Sequence, residues 1–143
     1  TAERIKLEIS DVAWYINLML RSLDVTFDAL AKAVLTCPAP IISGKDVADY
    51  LLMLTHRMGL SVGEVADISK RLVCANKPVD PRRMAEVLAG LWNDLGVMAG
   101  VFNLRWPEIF DANIAKLEAR YSTGKFNAEE SEAHRKPNLT VVE

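Results

Sequence analysis

Acidic side chains spaced three residues apart are the main candidates for chemistry in this sequence. Glu8 and Asp11 form one pair, Glu64 and Asp67 form a second, and Glu86 stands alone further along the chain. Residues at i and i+3 share a helix face, so each pair can present two carboxylates to one point. Carboxylates together with substrate phosphates suit Mg²⁺, with Mn²⁺ as the alternative ion. Such an ion offsets phosphate charge and helps to generate a nucleophilic water.

A solvated helix face is the other explanation of these acidic pairs. Asp67 has Arg71 four residues further on, which is the spacing of an ordinary surface ion pair. The spacing alone therefore leaves both explanations open.

A second row of polar residues lies near the end of the last long helical segment. Asn113, Lys116 and Arg120 follow at i, i+3 and i+7, so one helix face carries all three. The row could grip phosphate groups through its two cations. It could equally be a solvated stripe with basic residues near a helix C-terminus, where the helix dipole favours them.

Length and composition indicate one globular domain without the excess of positive charge that is typical of nucleic-acid-binding proteins. The chain has 143 residues and a net charge of −2, so no nucleic-acid polymer is expected as a partner. Its two cysteines fit neither a disulfide framework nor a zinc site. No secretion signal or membrane-spanning run is recognisable. We therefore expect a cytoplasmic protein with no membrane partner.

The apolar residues recur every three to four positions almost throughout, which predicts an all-α bundle. Gly59 is predicted to kink or divide the third helical region, and the tail after residue 125 is predicted to be polar and either extended or partly disordered. Trp14, Trp92 and Trp106 are predicted as core or interface anchors. The predicted helices cover residues 5–23, 27–35, 47–58 with Asp46 as a cap, 61–73, and 107–121, and a long helix starts at Asp80–Pro81 and carries an apolar stripe to Met98; a Pro/Gly loop is predicted at 37–45.

Two segments of the chain resemble each other. The sequence EISDVAWYINLML at 8–20 is similar to EVLAGLWNDLGVM at 86–98, and each has Trp six residues after the leading Glu. The segments are followed by DVTF at 24–27 and NLRW at 103–106. Either an internal duplication or the general similarity of amphipathic helices explains this pattern.

Residues 45–136 resemble the MazG-like nucleoside triphosphate pyrophosphohydrolases. The resemblance rests on GEVADISKRLVCANKPVD at 63–80, the Glu86 helix, and ANIAKLEARYSTGKF at 112–126. It implies an all-α, Mg²⁺-dependent enzyme, acting as a homodimer or homotetramer, that hydrolyses a nucleoside or deoxynucleoside triphosphate to the monophosphate and pyrophosphate. The implied domain covers residues 1–125, with residues 1–35 as an N-terminal helical extension or partial repeat and 126–143 as a tail.

The resemblance implies a metal site made of an E-x-x-E pair on one helix and an E-x-x-D pair on the next. Glu64 matches the second Glu of the first pair, and Asp67 matches an acidic residue that commonly follows. Glu86 matches the Glu of the second pair, whereas Ser61 and Ala89 stand at the two remaining ligand positions. Glu64 is the implied catalytic residue. The implied nucleotide-facing residues are Asn113, Lys116, Arg120 and Tyr121.

The N-terminal segment EISDVAWYI resembles an intact copy of the family's second acidic motif. One hypothesis is that Glu8 and Asp11 replace the missing ligands, from the same chain or a partner subunit, and complete a site with Glu64 and Asp67. The alternative is an extension whose acids face water. Three functions remain open: an active pyrophosphohydrolase, an impaired homologue that binds nucleotide or protein, and a helical assembly factor.

Overall fold

The computed structural model describes residues 1–36, 46–121, 123 and 127–133, and every regular element in these ranges is an α-helix. The predicted all-α class is confirmed. The helices are α1 (Ala2–Ser22), α2 (Phe27–Thr36), α3 (Val47–Ala75), α4 (Pro81–Val101), α5 (Trp106–Arg120) and α6 (Ala128–Ala133). None of these helices is by itself long and apolar enough to cross a membrane.

The helix starts follow from local capping chemistry. The Asp80 carboxylate accepts a hydrogen bond from the backbone N–H of Arg82 at 3.0 Å, and Pro81 occupies the first turn of α4. The Asp46 carboxylate accepts from the N–H of Ala48 in the same way at the start of α3. These contacts satisfy N–H groups that have no partner inside the helix.

The predicted break at Gly59 is wrong, because the 29-residue helix α3 runs from Val47 to Ala75 without interruption at this glycine. Met58, Val65 and Ile68 lie on one face of the helix, before and after the glycine, and pack against the core. Their burial outweighs the roughly 1 kcal/mol that an interior glycine costs a helix.

The tail also differs from the prediction of an extended segment. Residues 128–133 form the short helix α6, and the Asn127 side chain accepts a hydrogen bond from the N–H of Glu129 at 2.9 Å. This contact is a helix N-cap, which the polar composition of the tail concealed. The predicted loop at 37–45 and the end of the tail lie outside the described residues.

Helix α4 lies at the centre of the fold, where α1, α2 and α3 all pack against it, and α5 packs against α1. Leu88, Ala89 and Leu95 on α4 are buried, as are Ile16 on α1 and Ile109 on α5. These side chains form one hydrophobic cluster. It fixes the positions of α1 and α5, which carry the predicted N-terminal acids and the basic row.

The chain contains two pairs of consecutive helices of the same construction, α1–α2 and α4–α5. We call each pair a hairpin, although its helices meet at an open angle, 99° for α4 and α5, and pack mainly on the other pair. Helices α1 and α4 have 21 residues each, and α4 and α5 begin 79 positions after α1 and α2. Asp24 and Asn103 occupy the turns with φ of 55° and 54°. The next residue of each turn bonds back to its helix, Val25 N–H to Leu20 and Leu104 N–H to Ala99, both at 2.9 Å.

The packing of the hairpins is reciprocal. Helix α2 of the first hairpin packs on α4 of the second, and α5 of the second packs on α1 of the first. Exchanging the hairpins therefore reproduces the same set of helix contacts. This arrangement is the one that an internal duplication would produce. The similar sequence segments align 78 positions apart, however, whereas the helix starts and the turns correspond at 79.

Two of the three tryptophans join α4 to α5. The rings of Trp92 and Trp106 stack with their centroids 4.6 Å apart, and Phe110 stacks on Trp106 at 5.6 Å. They match the predicted role as core anchors. Trp14 does not belong to this core, because half of its surface is exposed on α1.

Ile109→Val tests the α5 contact with the core. Ile109 is fully buried, so we expect the loss of one methylene to lower the free energy of unfolding by about 1 kcal/mol. Ile114→Val is the matched control on the same helix, because Ile114 is half exposed and should change stability very little. Urea unfolding measures both, and equal effects would contradict this packing.

Candidate active site

The contact between α1 and α5 brings together two groups of predicted site residues. The Lys116 ammonium forms an ion pair with the Asp11 carboxylate, across 105 positions of sequence. Both side chains are partly exposed, so the pair lies at the edge of the helix contact. A predicted metal ligand and a predicted phosphate-binding cation are therefore neighbours at the surface.

Asn113 fixes the register of this contact. Its side-chain N–H donates to the backbone carbonyl of Ser10 at 3.4 Å, and Asn113 is buried. Asn113 and Lys116 are one turn apart on α5, while Ser10 and Asp11 are adjacent on α1. The solvated-stripe explanation does not hold for Asn113. Asn113 and Lys116 therefore contact adjacent residues of α1.

Glu8 completes the polar group on α1. It lies one turn before Asp11, is exposed, and makes no ion pair with a residue in the described parts of the chain. Arg120 is one turn beyond Lys116 on α5, and Tyr121 follows at the helix end, both partly buried. This surface offers two carboxylates and two cations.

The acidic residues on α3 and α4 have a different environment. The Arg83 guanidinium is ion-paired with Glu64, and its second nitrogen lies 3.4 Å from the Glu86 carboxylate. The hydrogen bond with Glu64 raises the pKa of Arg83, and Glu86 adds to this effect. A guanidinium thus lies between two predicted metal ligands and offsets part of their negative charge. A metal ion bound by both carboxylates would have to displace it.

The other predicted positions in this region lack a ligand group or are already paired. Asp67 binds Arg71 at 2.6 Å, which is the surface ion pair that the sequence left as an alternative. Ala89, at a position where the resemblance implies a carboxylate, is fully buried in the core. Ser61 is partly buried on α3. Among the described residues, no three His, Cys, Asp or Glu side chains are grouped to hold a metal ion.

A buried ion pair between α3 and α4 has no counterpart in the sequence predictions. Two nitrogens of Arg57 contact the Asp94 carboxylate at 3.1 and 3.2 Å, and Asp94 is almost fully buried. Burial raises the pKa of Asp94, and the charge of Arg57 opposes this rise. The sequence signal for this pair was Asp94 itself, a charged residue within the apolar stripe of α4. Its partner on another helix gave no local signal.

Comparison of the chain with protein-family models, with curated proteins and with solved structures finds no match.

Proposed function

We propose that this chain binds a nucleoside triphosphate together with Mg²⁺ at the α1–α5 surface and hydrolyses it to the monophosphate and pyrophosphate. The observation that supports this most strongly is the contact of Asp11 with Lys116, held by the hydrogen bond from Asn113 to Ser10. The MazG-like resemblance of the α5 segment supplies the reaction. The proposed cellular setting is the cytoplasm.

The donor set on α1 fits this ion. Glu8 and Asp11 are two carboxylates one turn apart, and Mg²⁺ is commonly held by one or two carboxylates, waters and substrate phosphates. When bound, Mg²⁺ would offset phosphate charge and activate water. The ion pair of Asp11 implies that Lys116 leaves the carboxylate for a phosphate oxygen when the nucleotide arrives. Arg120 neutralises further phosphate charge, and Asn113 positions Lys116.

The hydrolytic step needs an aligned water molecule and a leaving group. The water oxygen forms a bond to the α-phosphorus while the bond from that phosphorus to the bridging oxygen breaks and pyrophosphate leaves. The proton released by the water passes to a carboxylate. Glu8 is the better placed of the two, because it is exposed and has no ion-pair partner among the described residues. Positioning and charge neutralisation supply most of the rate in such transfers.

The two hairpins explain why this surface, rather than the α3–α4 surface, is proposed as the site. Helix α1 has both acids of the E-x-x-D pair, and α5, packed against it, has the Asn-x-x-Lys row. Helix α4 has lost the second acid to Ala89. The spacing of 78 pairs Glu8 with Glu86 and Asp11 with Ala89. At this spacing the positions corresponding to Asn113 and Lys116 hold Leu35 and Pro38, and at the spacing of 79 they hold Val34 and Cys37. The acid pair is therefore on α1 and the basic row is on α5. The packing of α5 against α1 brings the two groups together.

A second candidate is a nucleotide-binding or protein-interaction module without turnover. Two observations favour it: Arg83 and Arg71 occupy the α3 and α4 carboxylates, and no group of three metal-binding side chains is present among the described residues. For Glu64, Asp67 and Glu86, the roles implied by the resemblance remain predictions. We propose that Arg83 now fulfils the structural role of a bound cation between Glu64 and Glu86.

Pyrophosphate release from a panel of nucleoside and deoxynucleoside triphosphates, with and without Mg²⁺, distinguishes these functions. We expect release from at least one nucleotide that stops when EDTA removes the ion. Nucleotide binding measured by calorimetry without any release would favour the binding module. Absence of both binding and release would contradict both candidates.

A further inference from the structure

The tryptophans of this chain have two kinds of environment. Trp92 and Trp106 stack on each other between α4 and α5, and both pack against the hydrophobic core. Trp14 on α1 is 50% exposed, and its ring stacks on no other aromatic ring in the described parts of the chain. An indole is one of the largest apolar groups that a protein can bury, so a half-exposed one leaves burial free energy unused.

Exposure alone does not distinguish Trp14 from its neighbours. Tyr15 and Leu18 on the same helix are also more than half exposed. Apolar side chains at a protein surface are common, and most of them need no ligand to explain them. The feature that sets Trp14 apart is its position relative to α5.

Helix geometry places Trp14 beside the Asp11–Lys116 pair. Trp14 follows Ser10 by four residues and Asp11 by three, so it lies about 5 Å further along α1 and between them around the helix axis. Ser10 and Asp11 are the residues of α1 that Asn113 and Lys116 contact. Because helical side chains lean toward the N-terminus of their helix, the indole is directed over the turn that contains Asp11. An exposed aromatic ring therefore borders the proposed phosphate-binding surface.

The chemistry of a nucleotide matches this arrangement. A nucleoside triphosphate carries its base and its phosphates at opposite ends of one sugar. Phosphates bound by Lys116 and by the proposed Mg²⁺ would therefore leave the base within reach of a side chain one helical turn away. Aromatic side chains bind bases by stacking, and every base has a face that can stack. Stacking on a single ring reads no base edge, so it discriminates between bases only by stacking strength.

We infer that Trp14 stacks on the base of the bound nucleotide, so that the site accepts every base and holds purines more tightly than pyrimidines. The inference rests on the proposed function and adds to it the breadth of the substrate class. A base on Trp14 leaves Glu8 uncovered. Glu8 and Trp14 are three residues before and three residues after Asp11, which places them on opposite flanks of Asp11 around the helix.

Two probes that share a triphosphate but differ in the base test this inference. One is an adenosine triphosphate analogue that cannot be cleaved between the α and β phosphates, and the other is inorganic tripolyphosphate, each with Mg²⁺. We expect calorimetry to show that the unmodified chain binds the analogue about 10-fold or more tightly than tripolyphosphate. The corresponding cytidine analogue should bind more weakly than the adenosine analogue.

Three variants assign the difference to the indole. Trp14→Ala should abolish the preference for the analogue and leave the affinity for tripolyphosphate unchanged, whereas Trp14→Phe should keep most of the preference. Leu18→Ala is the matched control, because Leu18 is as exposed as Trp14 but lies one turn further from Asp11. It should change neither affinity by more than about twofold. Circular dichroism verifies that the variants are folded.

The outcomes separate this inference from the proposed function. Equal affinities of the unmodified chain for the two probes, or a preference that survives Trp14→Ala, would overturn the inference and leave the phosphate site intact. Binding of neither probe would overturn both. Loss of tripolyphosphate binding in Trp14→Ala would mean that Trp14 only supports the helix contact. A dimer that becomes monomeric with Trp14→Ala would mean that a second copy covers the indole, and either result would overturn the inference.

Discussion

Asp11→Ala is expected to lower Mg²⁺-dependent pyrophosphate release by about 100-fold or more, because it removes half of the proposed carboxylate pair. Loss of a residue that only supports a metal ligand already costs about 10- to 100-fold, so loss of a ligand should reach at least the upper end. Lys116 would also lose its partner on α1. Initial rates at saturating nucleotide, measured over a range of Mg²⁺ concentrations, provide the test.

Glu8→Ala and Glu86→Ala form the matched comparison for this prediction. Each residue leads one of the two similar segments of the sequence, but Glu8 on α1 has no ion-pair partner among the described residues, whereas Glu86 is paired with Arg83. We expect Glu8→Ala to impair release about as strongly as Asp11→Ala, and Glu86→Ala to change it less than about threefold. A larger loss of pyrophosphate release with Glu86→Ala than with Glu8→Ala would place the site at the α3–α4 surface instead.

Arg57→Met is expected to lower the free energy of unfolding by about 3 kcal/mol at neutral pH. The substitution leaves the Asp94 carboxylate buried without its cation, which costs about 3–5 kcal/mol in comparable pairs. We expect a loss at the lower end of this range because the Arg57 side chain is 35% exposed. Urea unfolding at constant ionic strength gives the value.

The pH dependence of the stability of Arg57→Met tests whether the buried charge of Asp94 causes the loss. Burial raises the pKa of Asp94 in the folded state, and Arg57 opposes the rise, so removing Arg57 should raise this pKa further. A carboxyl group with a raised folded-state pKa destabilises the fold above that pKa. Stability returns as the pH falls through it, because the folded state then binds the extra proton. The destabilisation by Arg57→Met should therefore shrink as the pH is lowered.

A double variant and a surface control complete this test. Asp94→Leu combined with Arg57→Met removes the buried charge and should recover most of the lost stability. Arg71→Met breaks the exposed pair with Asp67 and should cost about 0.5 kcal/mol or less. Equal costs for Arg57→Met and Arg71→Met would contradict a buried, stabilising contact.

The helices were predictable because their signals are local. Asp46, Asp80 and Pro81 mark helix starts by side-chain chemistry alone, and the apolar spacing of α1, α4 and α5 continues to their ends. Gly59 misled the prediction because its cost is local whereas the compensating contacts of Met58, Val65 and Ile68 are tertiary. The short helix at 128–133 was missed for the opposite reason, because it has no apolar stripe.

The candidate site was only partly predictable. Each member of the Asp11–Lys116 pair was recognisable from its own helix, but their contact depends on α5 packing against the first hairpin. No spacing rule links positions 105 residues apart. Arg83 was within reach of prediction, because it precedes Glu86 by three residues, which is an ion-pair spacing. Its second partner, Glu64, lies on α3 and gave no such signal.

The position of a bound metal ion tests the central proposal most directly. Crystals grown with Mn²⁺ and a non-hydrolysable nucleoside triphosphate analogue would show the ion by its anomalous scattering. We expect the peak beside Glu8 and Asp11, with Lys116 turned to a phosphate oxygen. A peak between Glu64 and Glu86, with Arg83 displaced, would contradict the proposal.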